Sequence, residues 1–169
     1  MGSIPIVSIF KTSFFGIMME QKGLISMLAH KFWVSWYMFK VCAVLMYRAF
    51  IHDLSKFGKH EEPYYRKYAI RLRKSKYGSK EYEGHMQSIK PAINHHYESN
   101  PHHPEHYKNG IHGMSLLDLI EMMCDWKSAG KRHKDGNIIK SIEIGQRRFG
   151  YDDEMKERLE KSAKDMKLS

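Results

Sequence analysis

Apolar residues recur at helical spacing through positions 24–51: Leu24, Met27 and Leu28, then Val41, Val44 and Leu45. The pattern predicts two amphipathic core helices, or one long bent one, ending at His52. The run Asp53-Leu-Ser-Lys-Phe-Gly58 reads as a turn. Glu61, Glu62 and Pro63 suit a first helical turn, so a short helix is expected from there through Leu72, stopping around Tyr77, Gly78 and Ser79. Another is expected over 80–97, kinked or divided at Pro91. The prolines, glycines and asparagines of 99–113 mark a loop. Ser115 caps a strongly patterned helix to about Lys131, with Asp118 placed to complete a capping box. Helices from Asn137 and from Asp152 complete the chain. Strand signals are nearly absent, so the expected fold class is all-α, a compact helical bundle.

No repeat or low-complexity linker divides the chain. The economical organisation is an N-terminal extension, 1–17, followed by one helical metal-binding domain, 18–169. The apolar N-terminal stretch lacks the flanking charge and cleavage site of a signal peptide. It also lacks the Ser or Thr of a myristoylation signal. Between Leu24 and Phe50 stand His30, Lys31, Lys40 and Arg48, which argues against a membrane span. Membrane association is not expected, and the location expected is the cytoplasm.

Composition adds two constraints. A net charge of +9 favours anionic partners: nucleotides, nucleic acid or acidic membrane. Two cysteines, Cys42 and Cys124, form no C-x-x-C pair. They are read as reduced and buried, which excludes a cysteine-based zinc site.

Histidine is where chemistry enters. There are 11, and His95, His96, His102, His103 and His106 lie within 12 residues of one another. Clustered imidazoles supply neutral ligands for zinc, iron, nickel or manganese. A second feature is the adjacent pair His52-Asp53 at a helix end, which offers mixed N/O ligation. Two antiparallel helices joined by a short turn would bring His30 beside it. A third is the helix 115–131, where Asp118, Glu121 and Asp125 fall within roughly 60° of each other at about 100° per residue. Leu116, Ile120 and Met123 lie opposite. This stripe is either a solvated strip or the wall of a polar pocket. Three buried carboxylates repel unless metal or basic side chains balance them.

His30, His52-Asp53 and Asp125 together resemble the H…HD…D signature of the HD-domain superfamily, whose members are all-helical and metal-dependent. His52 to Lys56 is similar to the HD-x-x-K form of that signature. His95-His96-Tyr97-Glu98 resembles the HHE of the HD-GYP branch, without its glycine-tyrosine-proline part. A closer resemblance is to a small phage- and bacteria-associated domain family of unknown function. The matching segments are HDLSKF (52–57), HH with NPHH (95–96 and 100–103) and EMMCDWKSAG (121–130), which together cover most of 30–130.

The superfamily resemblance implies a phosphohydrolase acting on a nucleotide or cyclic-nucleotide phosphoester, in a bacterium or in an infected host cell. His30, His52, Asp53 and Asp125 would hold a first divalent ion (Mn, Fe, Zn, Ni, Co or Mg). His95, His96 or His103 would complete a second site bridged by Asp53, with His60 and His85 as substitutes. Lys56 would contact a substrate phosphate, and Glu121 would position or deprotonate water. The competing expectation is a non-catalytic, metal-stabilised helical protein. It would bind nucleic acid through basic and aromatic residues interleaved from Tyr64 to Lys74.

Overall fold

The computed structural model describes residues 6–76, 78–131 and 136–169, with side chains of the first helix from Gln21 onward. Six α-helices follow in order: α1 (Ile6–Ile51), α2 (Glu62–Lys74), α3 (Lys80–Ser99), α4 (Leu116–Gly130), α5 (Ile138–Phe149) and α6 (Asp153–Asp165). Short 3₁₀ helices occupy Leu54–Phe57, Pro104–His106 and Gly110–Gly113. No strand occurs among the described residues, and the fold class is all-α as expected. The chain forms two units, Met1–Tyr47 and Arg48–Ser169.

In the first unit 24–51 takes one of the two forms expected, a single long helix, and what the structure corrects is its packing. α1 is one uninterrupted helix, without a turn between His30 and His52. Leu24, Met27, Leu28, Val41 and Val44 are exposed instead of forming a core. The reason lies in the residues between them. Phe32, Trp33, Val34, Trp36, Tyr37, Met38 and Phe39 put apolar surface on every side of the helix, so no single face is defined for packing. Cys42 is exposed here, and so is Cys124 in the second unit, against the expectation of burial; neither is in a disulfide. By length and composition Gln21–Phe57 is apolar enough to cross a membrane despite its charges.

The second unit is built on capped helices. Ser79, Ser115, Asn137 and Asp152 each accept a hydrogen bond from the backbone three residues on, supplying partners for otherwise orphaned N–H groups. At Ser115 the capping box with Asp118 is complete. Pro91 does not divide α3, which runs through it. α4, α5 and α6 bury Met122, Met123, Ile138, Ile142, Leu159 and Ala163 around Tyr151, whose hydroxyl donates to the Ile142 carbonyl. Trp126 stacks parallel to Phe149 at 6.2 Å over Gly145, where backbone and indole approach closely. Leu116, placed on the apolar side of α4 by the helical wheel, is exposed on its first turn.

Candidate metal centre

The second unit gathers its titratable side chains at one place, supplied by four stretches of chain. The end of α1 delivers Arg48 and His52. Asp53 follows in a left-handed conformation, φ 58° and ψ 16°, at the head of the Leu54–Phe57 3₁₀ helix. This conformation is uncommon outside glycine, asparagine and aspartate, and is often held at functional sites. It turns the chain sharply, so that side chains of adjacent residues reach one spot. α3 supplies His95 and His96, the loop after it His102 and His103, and α4 Asp118, Glu121 and Asp125.

Asp53 is the hub. Its Oδ1 lies 3.2 Å from His96 Nε2 and 3.4 Å from His102 Nε2. Its Oδ2 accepts from Lys56 Nζ at 2.5 Å and lies 3.4 Å from His52 Nε2. Burial alone would raise the Asp53 carboxyl, but His102, His96 and Lys56 beside it hold it well below the usual carboxylate range. His96 and His103 face each other through their Nε2 atoms at 3.0 Å. Burial, reinforced by His102 and His96, lowers His103 to about 3, so its imidazole is neutral at pH 7. Neutral imidazole is the ligand form.

Three groups bring ligand atoms within 4.8 Å of one another: Asp53, His96, His102 and His103; His52, His102 and Glu121; and His52, Asp53 and Asp125. Asp53 belongs to two of them. The donor set suits a divalent transition ion. An independent observation agrees. Asp53 Oδ1 and His102 Nε2 are fully buried and have no hydrogen-bond partner among the described residues. Unsatisfied buried polar atoms are rare and costly, and two of them face each other here, inside a ligand cluster. The residues fit a bound cation.

Around this cluster the other histidine nitrogens are tied back. Glu121 Oε1 accepts from His52 Nδ1 at 2.8 Å and lies 3.1 Å from His102 Nδ1; its Oε2 accepts from Arg48 Nε at 2.6 Å. Arg48 also donates to Asp118 Oδ1, while Tyr107 and Ser115 donate to Asp118 Oδ2. Glu61, fully buried, accepts from His95 Nδ1 at 2.8 Å and from His96 Nδ1 at 3.0 Å. His52 and Asp125 are more exposed, with 29% and 28% of their side chains open, so the cluster meets solvent on their side.

Among the residues singled out from sequence, the structure brings together His52, Asp53, Lys56, His96, His103, Glu121 and Asp125. His95 is anchored beside them on Glu61, stacked on His60 at 4.9 Å, and joins none of the three groups. His30 belongs to the first unit, is exposed there and joins none of them. His85 pairs with Glu81, and His106 with the Tyr97 carbonyl. Two site residues lay outside the sequence assignment. His102 was visible as part of the histidine run but not separable from its neighbours. Glu61 already had an explanation as a first-turn acidic residue.

No curated protein and no solved structure matches this chain. Residues 19–167 match one family model, which covers most of the sequence. The chain belongs to the family of unknown function DUF5662.

Proposed function

We propose that the protein is a metal-dependent phosphohydrolase acting on a nucleotide or cyclic-nucleotide phosphoester, of the HD-domain kind. The observation that carries the proposal is the ligand cluster around Asp53, with two buried ligand atoms that accept or donate no hydrogen bond among the described residues. Asp53 would contribute to both ion sites. His96, His102 and His103 would hold one, and His52 and Asp125 the other. Bound there, divalent metal supplies a nucleophilic water at neutral pH and charge neutralisation on the phosphoryl oxygens. Lys56, ion-paired to Asp53 and partly exposed, would turn its ammonium toward a substrate phosphate. Glu121 has both oxygens engaged by His52, His102 and Arg48, so its part in this scheme is to orient imidazoles. The basic segment of α2 offers less. Tyr64, Tyr65 and Tyr68 are half-buried, and Lys67 and Arg71 lie over the Tyr68 ring.

The test is elemental analysis of untagged protein purified without chelator, beside Asp53→Asn, followed by a phosphomonoester and phosphodiester screen. One or two equivalents of transition metal in the parent, lost in the variant together with turnover, are expected. A parent that stays empty after addition of Mn, Fe, Zn, Ni or Co refutes the metal reading. Turnover undiminished in Asp53→Asn refutes the catalytic one.

A further inference from the structure

Glu61 stands at the N-cap of α2, a place where short polar side chains accept from the helix's own N–H groups. It makes no such bond. Its side chain is instead fully buried and spans two adjacent histidines, Oε1 on His95 and Oε2 on His96. Neither lysine nor arginine pairs with it among the described residues. A buried carboxylate is costly unless charge or hydrogen bonds balance it, and here its hydrogen-bond partners are two imidazoles. Burying this side chain completely needs a return that helix stability does not supply.

We infer that Glu61 is a positioning residue for the Asp53, His96, His102 and His103 group, fixing which ring nitrogen of His96 bears its proton. This inference deepens the metal reading above and rests on it. Ser55 Oγ and Asn100 Nδ2 also stand 3.1 Å from His96 Nδ1, but Glu61 is the one carboxylate there among the described residues, and its accepting at Nδ1 leaves the His96 Nε2 lone pair free. That nitrogen faces Asp53 Oδ1 and His103 Nε2. A second-sphere carboxylate that sets a ligand's tautomer and ring orientation is a recurring part of histidine metal sites. Glu121 acts in the same sense on His52 and His102. The cluster is therefore held by two carboxylates, each serving two rings. Glu61 reaches only the His95–His96 side. Removing it should affect one group of ligands and leave His52, Asp53 and Asp125 in place.

Glu61→Gln keeps the shape but replaces one acceptor oxygen with a donor, which cannot accept from both Nδ1–H groups at once. Metal titration of the full chain, with cobalt(II) absorption as the readout, should show affinity at one site reduced about 10- to 100-fold. The other site should be unchanged, and helicity by circular dichroism retained. Equal affinity in parent and variant overturns the inference. A second measurement needs no variant. Two-bond ¹⁵N–¹H correlations on the zinc-treated wild-type chain identify which nitrogen of each histidine is protonated. Nδ1–H on His95 and His96 is expected, and Nε2–H on His96 overturns the inference whether or not Glu61→Gln folds. A wild-type chain that takes up no metal at all defeats the metal reading instead. The tautomer result would then still decide the role of Glu61.

Discussion

Arg48 offers the sharpest energetic test of the site's scaffold. Its guanidinium joins two carboxylates on one face of α4, Asp118 through Nη2 at 2.5 Å and Glu121 through Nε at 2.6 Å. Arg48→Met keeps much of the side-chain volume and removes both bonds. Stripping one partner from a fully buried ion pair costs about 3–5 kcal/mol, because the remaining charge is stranded. The loss here should be smaller. Asp118 retains Tyr107 and Ser115 as donors, Glu121 retains His52, and Arg48 itself is 22% exposed. A destabilisation of about 2–3 kcal/mol follows, which for a chain of this size lowers Tm by roughly 4–12 °C. Urea unfolding followed by far-UV circular dichroism, in chelator-treated buffer, measures it without interference from bound metal. Arg48→Lys should fall between the two, since an ammonium does not reproduce the two-pronged fit of a guanidinium. A loss below about 0.5 kcal/mol for Arg48→Met would place the triad with ordinary surface ion pairs and refute the reasoning.

Two further outcomes follow from other parts of the second unit. Gly145→Ala would set a methyl 2.4 Å from Trp126 Cη2 and 3.0 Å from the Tyr151 hydroxyl, both held in place by packing and a hydrogen bond. A cost of about 1–3 kcal/mol is expected, read as an earlier urea midpoint at unchanged slope; an unshifted midpoint would mean that the indole moves freely. Burial tends to raise the Asp118 carboxyl, but Ser115, Tyr107 and Arg48 outweigh it and hold its pKa below the ordinary value. Its contribution is therefore fully present above the unfolded-chain pKa, near about 4, and is lost as pH falls through the folded value. The stability gap between wild type and Asp118→Asn should be flat from pH 5 to 7 and shrink below pH 4. A gap that widens on acidification would contradict the sign.

Much of the second unit could be read locally, because its helix starts are written in short-range chemistry. Ser115 with Asp118, Asn137 and Asp152 each announce a cap, and each is one. Position 24–51 was harder. Its i, i+3, i+4 apolar pattern suggested a packed face, but consecutive aromatics fill the other faces as well. No glycine or proline in that stretch provides the break that two helices need. The site was legible where chemistry and adjacency coincide, as at His52-Asp53, and where period aligns groups, as at Glu121 and Asp125. It was not legible where tertiary packing alone chooses among like residues. Nothing in Asn-Pro-His-His says that His102 turns its Nε2 toward Asp53. Nothing in Glu61-Glu62-Pro63 says that the first glutamate leaves its helix for two histidines on another.

The left-handed backbone at Asp53 bears on how kindred sequences should be interpreted. Glycine, asparagine and aspartate enter that conformation readily, whereas other residues pay about 1–2 kcal/mol to do so. Drift at this position is therefore channelled by geometry before chemistry has any say. A lineage that ceased to need the carboxylate would be expected to settle on asparagine or glycine, keeping its shape while losing a ligand. Aspartate there is thus weaker testimony to a working centre than its pairing with histidine suggests, and asparagine in its place would be a legible mark of retirement.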